Sequence, residues 1–153
     1  MTKARIATGA EQNINRDGAV SQFAGQEGDL VGRNANGDWV KADAVAGVSA
    51  SGVLMAPVTD PANFNNEEIT LMIQANRELV GENRIAAVKH GIIVENIDGD
   101  WGFTPGEPVY LGASGGFTQT PPTGAGEITQ VVGEASGKGE AVFLDVAPDY
   151  VTA

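Results

Sequence analysis

Cysteine is absent from this chain, and histidine occurs once, at position 90. The first absence excludes disulfides, cysteine-based metal sites and thiol nucleophiles. The second excludes a site with several histidine ligands and leaves His90 as the one imidazole for a Ser-His-acid triad. Basic residues are scarce too: nine Lys and Arg face twenty Asp and Glu, for a formal charge of −11. Nucleic-acid backbones and anionic membrane surfaces are therefore not expected partners, because both are bound by clustered cations. The longest apolar run, Val53 to Ala56, is far below the roughly twenty residues that span a bilayer. The first residues lack the apolar stretch of a secretory signal, and we expect a soluble protein. Five Phe, two Trp and two Tyr supply few rings for a sugar-hydrolysing cleft.

What the chain has is turn residues. Twenty-one Gly and seven Pro among 153 residues fit many short strands and argue against a helical bundle. The length suits one domain with its own core. Composition divides it at about residue 26. Met1 to Gln26 is polar, with Ile6, Ile14, Val20 and Phe23 as its large apolar residues at neither helical nor strand spacing, and we expect an extended N-terminal arm. Glu27 to Ala153 is expected to form the folded body.

An internal repeat is the sharpest feature. Gly28 to Trp39 (GDLVGRNANGDW) aligns without gaps on Gly106 to Phe117 (GEPVYLGASGGF). Gly28/Gly106, Val31/Val109, Ala35/Ala113 and Gly37/Gly115 are identical, and Trp39/Phe117 keeps an aromatic. Ser51-Gly52-Val53 is echoed by Val132-Gly133-Glu134. In each copy a Gly and an acid precede an apolar strand, and Asn36-Gly37 or Gly115-Gly116 supplies the positive φ of a tight hairpin. The aromatic then opens the return strand. The expected hairpins are Leu30–Arg33 with Trp39–Ala42, and Val109–Leu111 with Phe117–Thr120.

Further strands are expected at Arg84–Val88 and Ile92–Ile97, with a bulge or sharp bend at Gly91, and at Glu127–Glu134 and Ala141–Val146. One short helix is expected over Glu67–Val80, capped by Asn66 and stopped by Gly81, although Asn76 interrupts its spacing and Ile69, Leu71 and Ile73 would also serve as one face of a strand.

No catalytic constellation emerges. Ser114 lies in a hairpin turn rather than a strand-to-helix elbow. Asn34 to Asp38 and Asn96 to Asp100 resemble calcium loops superficially but lack the full ligand order and the bidentate Glu, so they read as turns. No P-loop ending occurs. We expect no catalytic residue, no cofactor and no metal, and we read His90 as a strand-bend residue.

Four segments, in order, resemble the small head-decoration (capsid cement) proteins of tailed viruses: Arg84 to Val94 (RIAAVKHGIIV), Pro105 to Gly112 (PGEPVYLG), Gly116-Phe117-Thr118, and Gln130 to Ala135 (QVVGEA). The resemblance spans about Gly28 to Val146. It implies a compact β-barrel or β-tulip-like domain with one short helix, and a virion structural protein on the outer surface of the capsid. Such a protein bridges neighbouring major capsid proteins, commonly as a homotrimer near three-fold positions, and carries no active site. The stretch Pro57 to Asn83 and the polar arm depart from that pattern.

On this reading Ile6, Ile14 and Phe23 are the candidate capsid contacts, and Tyr110 and Phe143 the candidate subunit contacts. The alternative is a carbohydrate- or receptor-binding β module of a viral tail fibre. It expects Trp39 and Trp101 together on one solvent-facing surface. An enzyme, such as a small hydrolase using clustered carboxylates, is the third class, and no spacing calls for it.

Overall fold

The structure, a computed structural model, describes residues 4–8, 15–20, 23–55, 58 and 84–153. It is built from antiparallel strands. The chain runs β1 (Ala4–Thr8), β2 (Asn15–Val20), β3 (Leu30–Arg33), β4 (Trp39–Lys41), β5 (Gly52–Leu54), β6 (Arg84–Val88), β7 (His90–Asn96), β8 (Pro108–Leu111), β9 (Phe117–Thr118), β10 (Ile128–Thr129), β11 (Val131–Ser136), β12 (Ala141–Asp145) and β13 (Val151–Thr152). One sheet has the order β2-β6-β5-β3-β4, a second β1-β7-β12-β11-β8-β9, and β10 pairs with β13. A 3-10 turn at Gly137–Gly139 is the one helical element among the described residues.

Both expected hairpins form, and in the same register. Arg33 pairs with Trp39 as Leu111 pairs with Phe117; Gly32 pairs with Val40 as Tyr110 pairs with Thr118. Gly37 (φ +83°) and Gly115 (φ +76°) occupy the left-handed region in the two turns. The second positive φ of the β8–β9 turn belongs to Ser114, not to Gly116 as expected.

The repeat is larger than the hairpins. Val31 pairs with Gly52 as Val109 pairs with Gly133. Leu54 pairs with Ala87 as Ala135 pairs with Val142, and Ala87 pairs with Asn15 as Val142 pairs with Val94. Loop hydrogen bonds repeat as well. Gly28 N–H donates to Leu54 O and Gly106 N–H to Ala135 O, both at 2.9 Å; Gly25 N–H donates to Val58 O and Phe103 N–H to Gly139 O, both at 3.0 Å. The order β2-β6-β5-β3-β4 is thus restated as β7-β12-β11-β8-β9, so the described chain carries the same five-stranded pattern twice, with β1 added to the second sheet and the β10–β13 pair outside the repeat. Lys89, between β6 and β7, is the junction.

The main core lies between the halves. Leu30, Val53 and Val88 of the first sheet pack with Val94, Val109, Leu111, Val132, Val142 and Leu144 of the second. Each such side chain contributes about 1.5–3 kcal/mol by leaving water. A smaller cluster of Val31, Trp39, Leu54, Val58 and Ala87 lies on the first sheet's other face. Gln130, 1 % exposed, is embedded in the assembly. Its amide donates to Ala50 O (2.9 Å) and Ala147 O (2.8 Å) and accepts from Ala50 N–H (2.7 Å), so a buried polar group is fully paired.

The segment expected to be an arm contributes two edge strands rather than standing clear of the body. β1 pairs with β7 and β2 with β6. Among the described residues neither large sheet closes on itself. The helix expected over Glu67–Val80 lies outside the described residues.

Candidate interaction surface

Strand alternation puts one face of β7, β12, β11 and β8 on the core and the other in solvent. In β12, Val142 and Leu144 are buried while Phe143 and Asp145 point outward. Cross-strand pairing aligns the outward residues in a row: Ile93 opposite Phe143, Phe143 opposite Glu134, Glu134 opposite Pro108. Phe143 is 51 % exposed and Val131 38 %. Tyr110, half-buried, lies opposite Val131.

Two β-bulges shape this face. One falls between Val131 and Gly133 against β8, so Val132 and Gly133 are both buried while Val131 and Glu134 both face out. The other lies in β7 opposite Phe143 and Asp145, where Gly91 has φ +80°, and it confirms the expected bulge. Open grooves flank Phe143. One is lined by His90, Ile93 and Asp145, the other by Pro108, Val131 and Glu134. The row is apolar at Ile93, Phe143 and Pro108 and acidic at Glu134 and Asp145.

A separate cleft of about 290 Å³ opens where the halves meet, lined by Asp29, Lys41, Trp101, Phe117 and the Gly112–Gly116 turn. The Lys41 ammonium lies 3.6 Å from the Asp29 carboxylate, so the cleft's charges are paired with each other. Trp101 stacks on Phe103 with centroids 5.0 Å apart and tilts against Phe117 at 5.3 Å. Its indole N–H is buried with no hydrogen-bond acceptor.

Glu140 secures the neighbouring loop. Its carboxylate accepts from Trp101 N–H (2.7 Å), Gly102 N–H (2.9 Å) and the Asn96 side-chain amide (3.3 Å). These bonds, that from Gly102 foremost, hold its pKa below the ordinary value, against the opposing effects of desolvation and the nearby Asp100 charge.

The candidate residues are distributed as follows. Phe143 and Tyr110 share the outward face. Ile6 sits in β1 opposite Val94. Phe23 is half-buried against the smaller core cluster, so only part of its ring can meet a partner. Ile14 lies outside the described residues. His90 is exposed at the start of β7, across from Asp145. The two tryptophans form no shared platform: Trp39 is 5 % exposed, with the Arg33 guanidinium 4.5 Å from its ring centroid, while Trp101 lies in the cleft. Both Asn-rich stretches are turns closed by their own side chains. Asn34 Oδ1 accepts from Asn36 and Asp38 N–H, and Asn96 Oδ1 from Asp98 N–H. Among the described residues no group of three or more His, Asp or Glu side chains is placed to hold a metal ion.

The sequence reading missed Ile93, Val131 and Pro108 as members of the outward face. Val131-Val132-Gly133 reads as continuous core until the bulge is known. No protein-family model, no curated protein and no solved structure matches the chain.

Proposed function

We propose that this chain is a virion structural protein that decorates the outer surface of an icosahedral head, bridging neighbouring major capsid proteins. The observation that carries this reading is the outward sheet face. Ile93, Phe143 and Pro108, with Glu134 between the last two, form a mixed apolar and acidic row on strands whose opposite side is locked into the main core. Such a face offers a rigid surface with little ordering cost on binding. Most of the residues that resemble decoration proteins lie in this sheet: β7 carries the His-Gly bend, β8 and β9 the hairpin that follows Pro-Gly-acid, and β11 the Val-Val-Gly run, while Arg84–Val88 forms β6 of the other sheet.

On this reading the function is mechanical. Binding the assembled shell but not its free subunits stabilises the shell by linkage. Several weak contacts suffice when one particle presents them together. The working assembly is a homotrimer packed through Phe143 and Tyr110, with the exposed part of Phe23 toward the capsid. Each protomer is then the barrel-like or tulip-like body of the resemblance. The lectin-like alternative draws less support, because Trp39 is inside and Trp101 is stacked in the cleft.

Incubating the protein with undecorated, expanded heads of the cognate virus and sedimenting them tests this reading. We expect saturable co-sedimentation; recovery of all the protein in the supernatant at micromolar concentration overturns it. Phe143→Glu, on an exposed side chain, is expected to leave the fold intact. It should weaken head binding at least about tenfold, or about 1.4 kcal/mol, through lost trimer packing.

A further inference from the structure

Glu134, Phe143 and Asp145 line one open groove on the outward face, and all three side chains are exposed. Glu134 lies directly across from Phe143, and Asp145 follows two residues along β12. An aromatic ring beside two carboxylates suits a cation, because the ring's face is itself electronegative. Two copies meeting through this same surface would set Glu134 and Asp145 of one against Glu134 and Asp145 of the other. Juxtaposed like charges oppose such a pairing. The surface is complementary to a partner that brings a positive charge to Phe143.

The chain carries such a group on its β11–β12 turn. Gly137 (φ +55°), Lys138 (φ +62°) and Gly139 (φ +90°) all occupy the left-handed region. A lysine is less favourable there than a third glycine would be, and an outlier of this kind points to a task for its side chain. Lys138 is exposed and has no ion-pair partner among the described residues. In this it differs from Lys41, paired with Asp29, and from Arg33, which lies over Trp39. Lys138 also lies outside both grooves that flank Phe143 in its own chain. The turn is firmly seated: Phe103 N–H donates to Gly139 O (3.0 Å), and a Cβ on Gly139 would run into the Phe103 carbonyl oxygen. A seated turn presents its cation with little backbone ordering on binding.

We infer that Lys138 of one copy docks on the Phe143 surface of a second copy, its ammonium against the ring and the flanking carboxylates. Lys89 and His90 border the Asp145 end of that surface, so Glu134 is the chief ionic partner. The contact uses different surfaces on its two partners. It therefore runs head to tail, and it closes into a ring where the rotation permits. The inference rests on the reading that Phe143 faces a second protomer, and it names the group that Phe143 meets there.

Sedimentation velocity over a range of concentrations tests it, with circular dichroism as the fold check. Lys138→Gly removes the charge and suits the left-handed backbone, so the fold is expected to hold. We expect its association midpoint at a concentration at least about tenfold above that of the wild type. Lys138→Glu should act likewise, and Lys138→Glu combined with Glu134→Lys should restore association, because the two charges exchange sides. Association of Lys138→Gly at the wild-type midpoint overturns the inference, as does failure of the exchanged pair to recover. Phe143→Glu separates this contact from the homotrimer reading. Association lost in Phe143→Glu but kept in Lys138→Gly leaves the trimer standing and removes Lys138 from it. A wild type that stays monomeric yet binds heads assigns the surface to a cation of another protein; it overturns the inference and leaves the decorating role intact.

Discussion

Single side chains set the two most specific constraints in the molecule. Gln130 satisfies three backbone partners, two on Ala50 and one on Ala147. Gln130→Leu keeps the volume but leaves those groups buried and unpaired. We expect a loss of about 3 kcal/mol or more in chemical denaturation, with an unchanged denaturant slope. Glu140 gives a pH dependence of defined sign. Its pKa is lower in the folded chain than its unfolded value of about 4.5. Its contribution is therefore fully present above that value and is lost as pH falls from there through the folded pKa. Tryptophan fluorescence in acid should report the 97–102 loop, which carries Trp101, loosening from Glu140, and Glu140→Gln should remove this part of the pH response. Gln130 and Glu140 were not legible in the sequence. Gln130 sits between strands like any polar residue, and Glu140 acts on partners many positions away.

At the scale of the element, glycine spacing carried most of the legible information. Gly37 and Gly115 with the following aromatics place both hairpins, because the turn needs a positive φ and the return strand needs a packing ring. Gly32 is a different case. Its backbone is extended, and a Cβ would collide with the Ser49 carbonyl oxygen. Gly32→Ala should therefore destabilise by about 3 kcal/mol or more, as a backbone shift is required. Gly37→Ala should cost only about 1 kcal/mol of turn strain; thermal unfolding of the two variants compares them directly. β1 and β2 escaped the sequence reading because they are edge strands: polar sequence without clean alternation looks like an arm. Their pairing is set by the neighbouring strand, not by their own pattern.

For the whole molecule, the duplication was half visible. Gly28 to Trp39 and Gly106 to Phe117 align without gaps, yet the rest of the two halves does not align by eye. Residues 55–83 connect β5 to β6, where Gly137–Glu140 connects β11 to β12. The facing residues diverged with their surroundings. Val88 lies in the main core and Phe143 faces solvent, so equivalent positions have opposite composition rules. That divergence is what makes the molecule one-sided, with the first half's row consumed by internal packing and the second half's row left exposed.

Electron cryo-microscopy of expanded heads, reconstructed with and without added protein, tests the decorating role most directly. The account predicts extra density at symmetry-related positions on the outer shell, spanning neighbouring capsid subunits, with the Phe143 face turned toward a second protomer. Heads that remain bare at saturating protein would contradict the decorating role, and density in which the Phe143 face points into empty solvent would contradict the assigned surface.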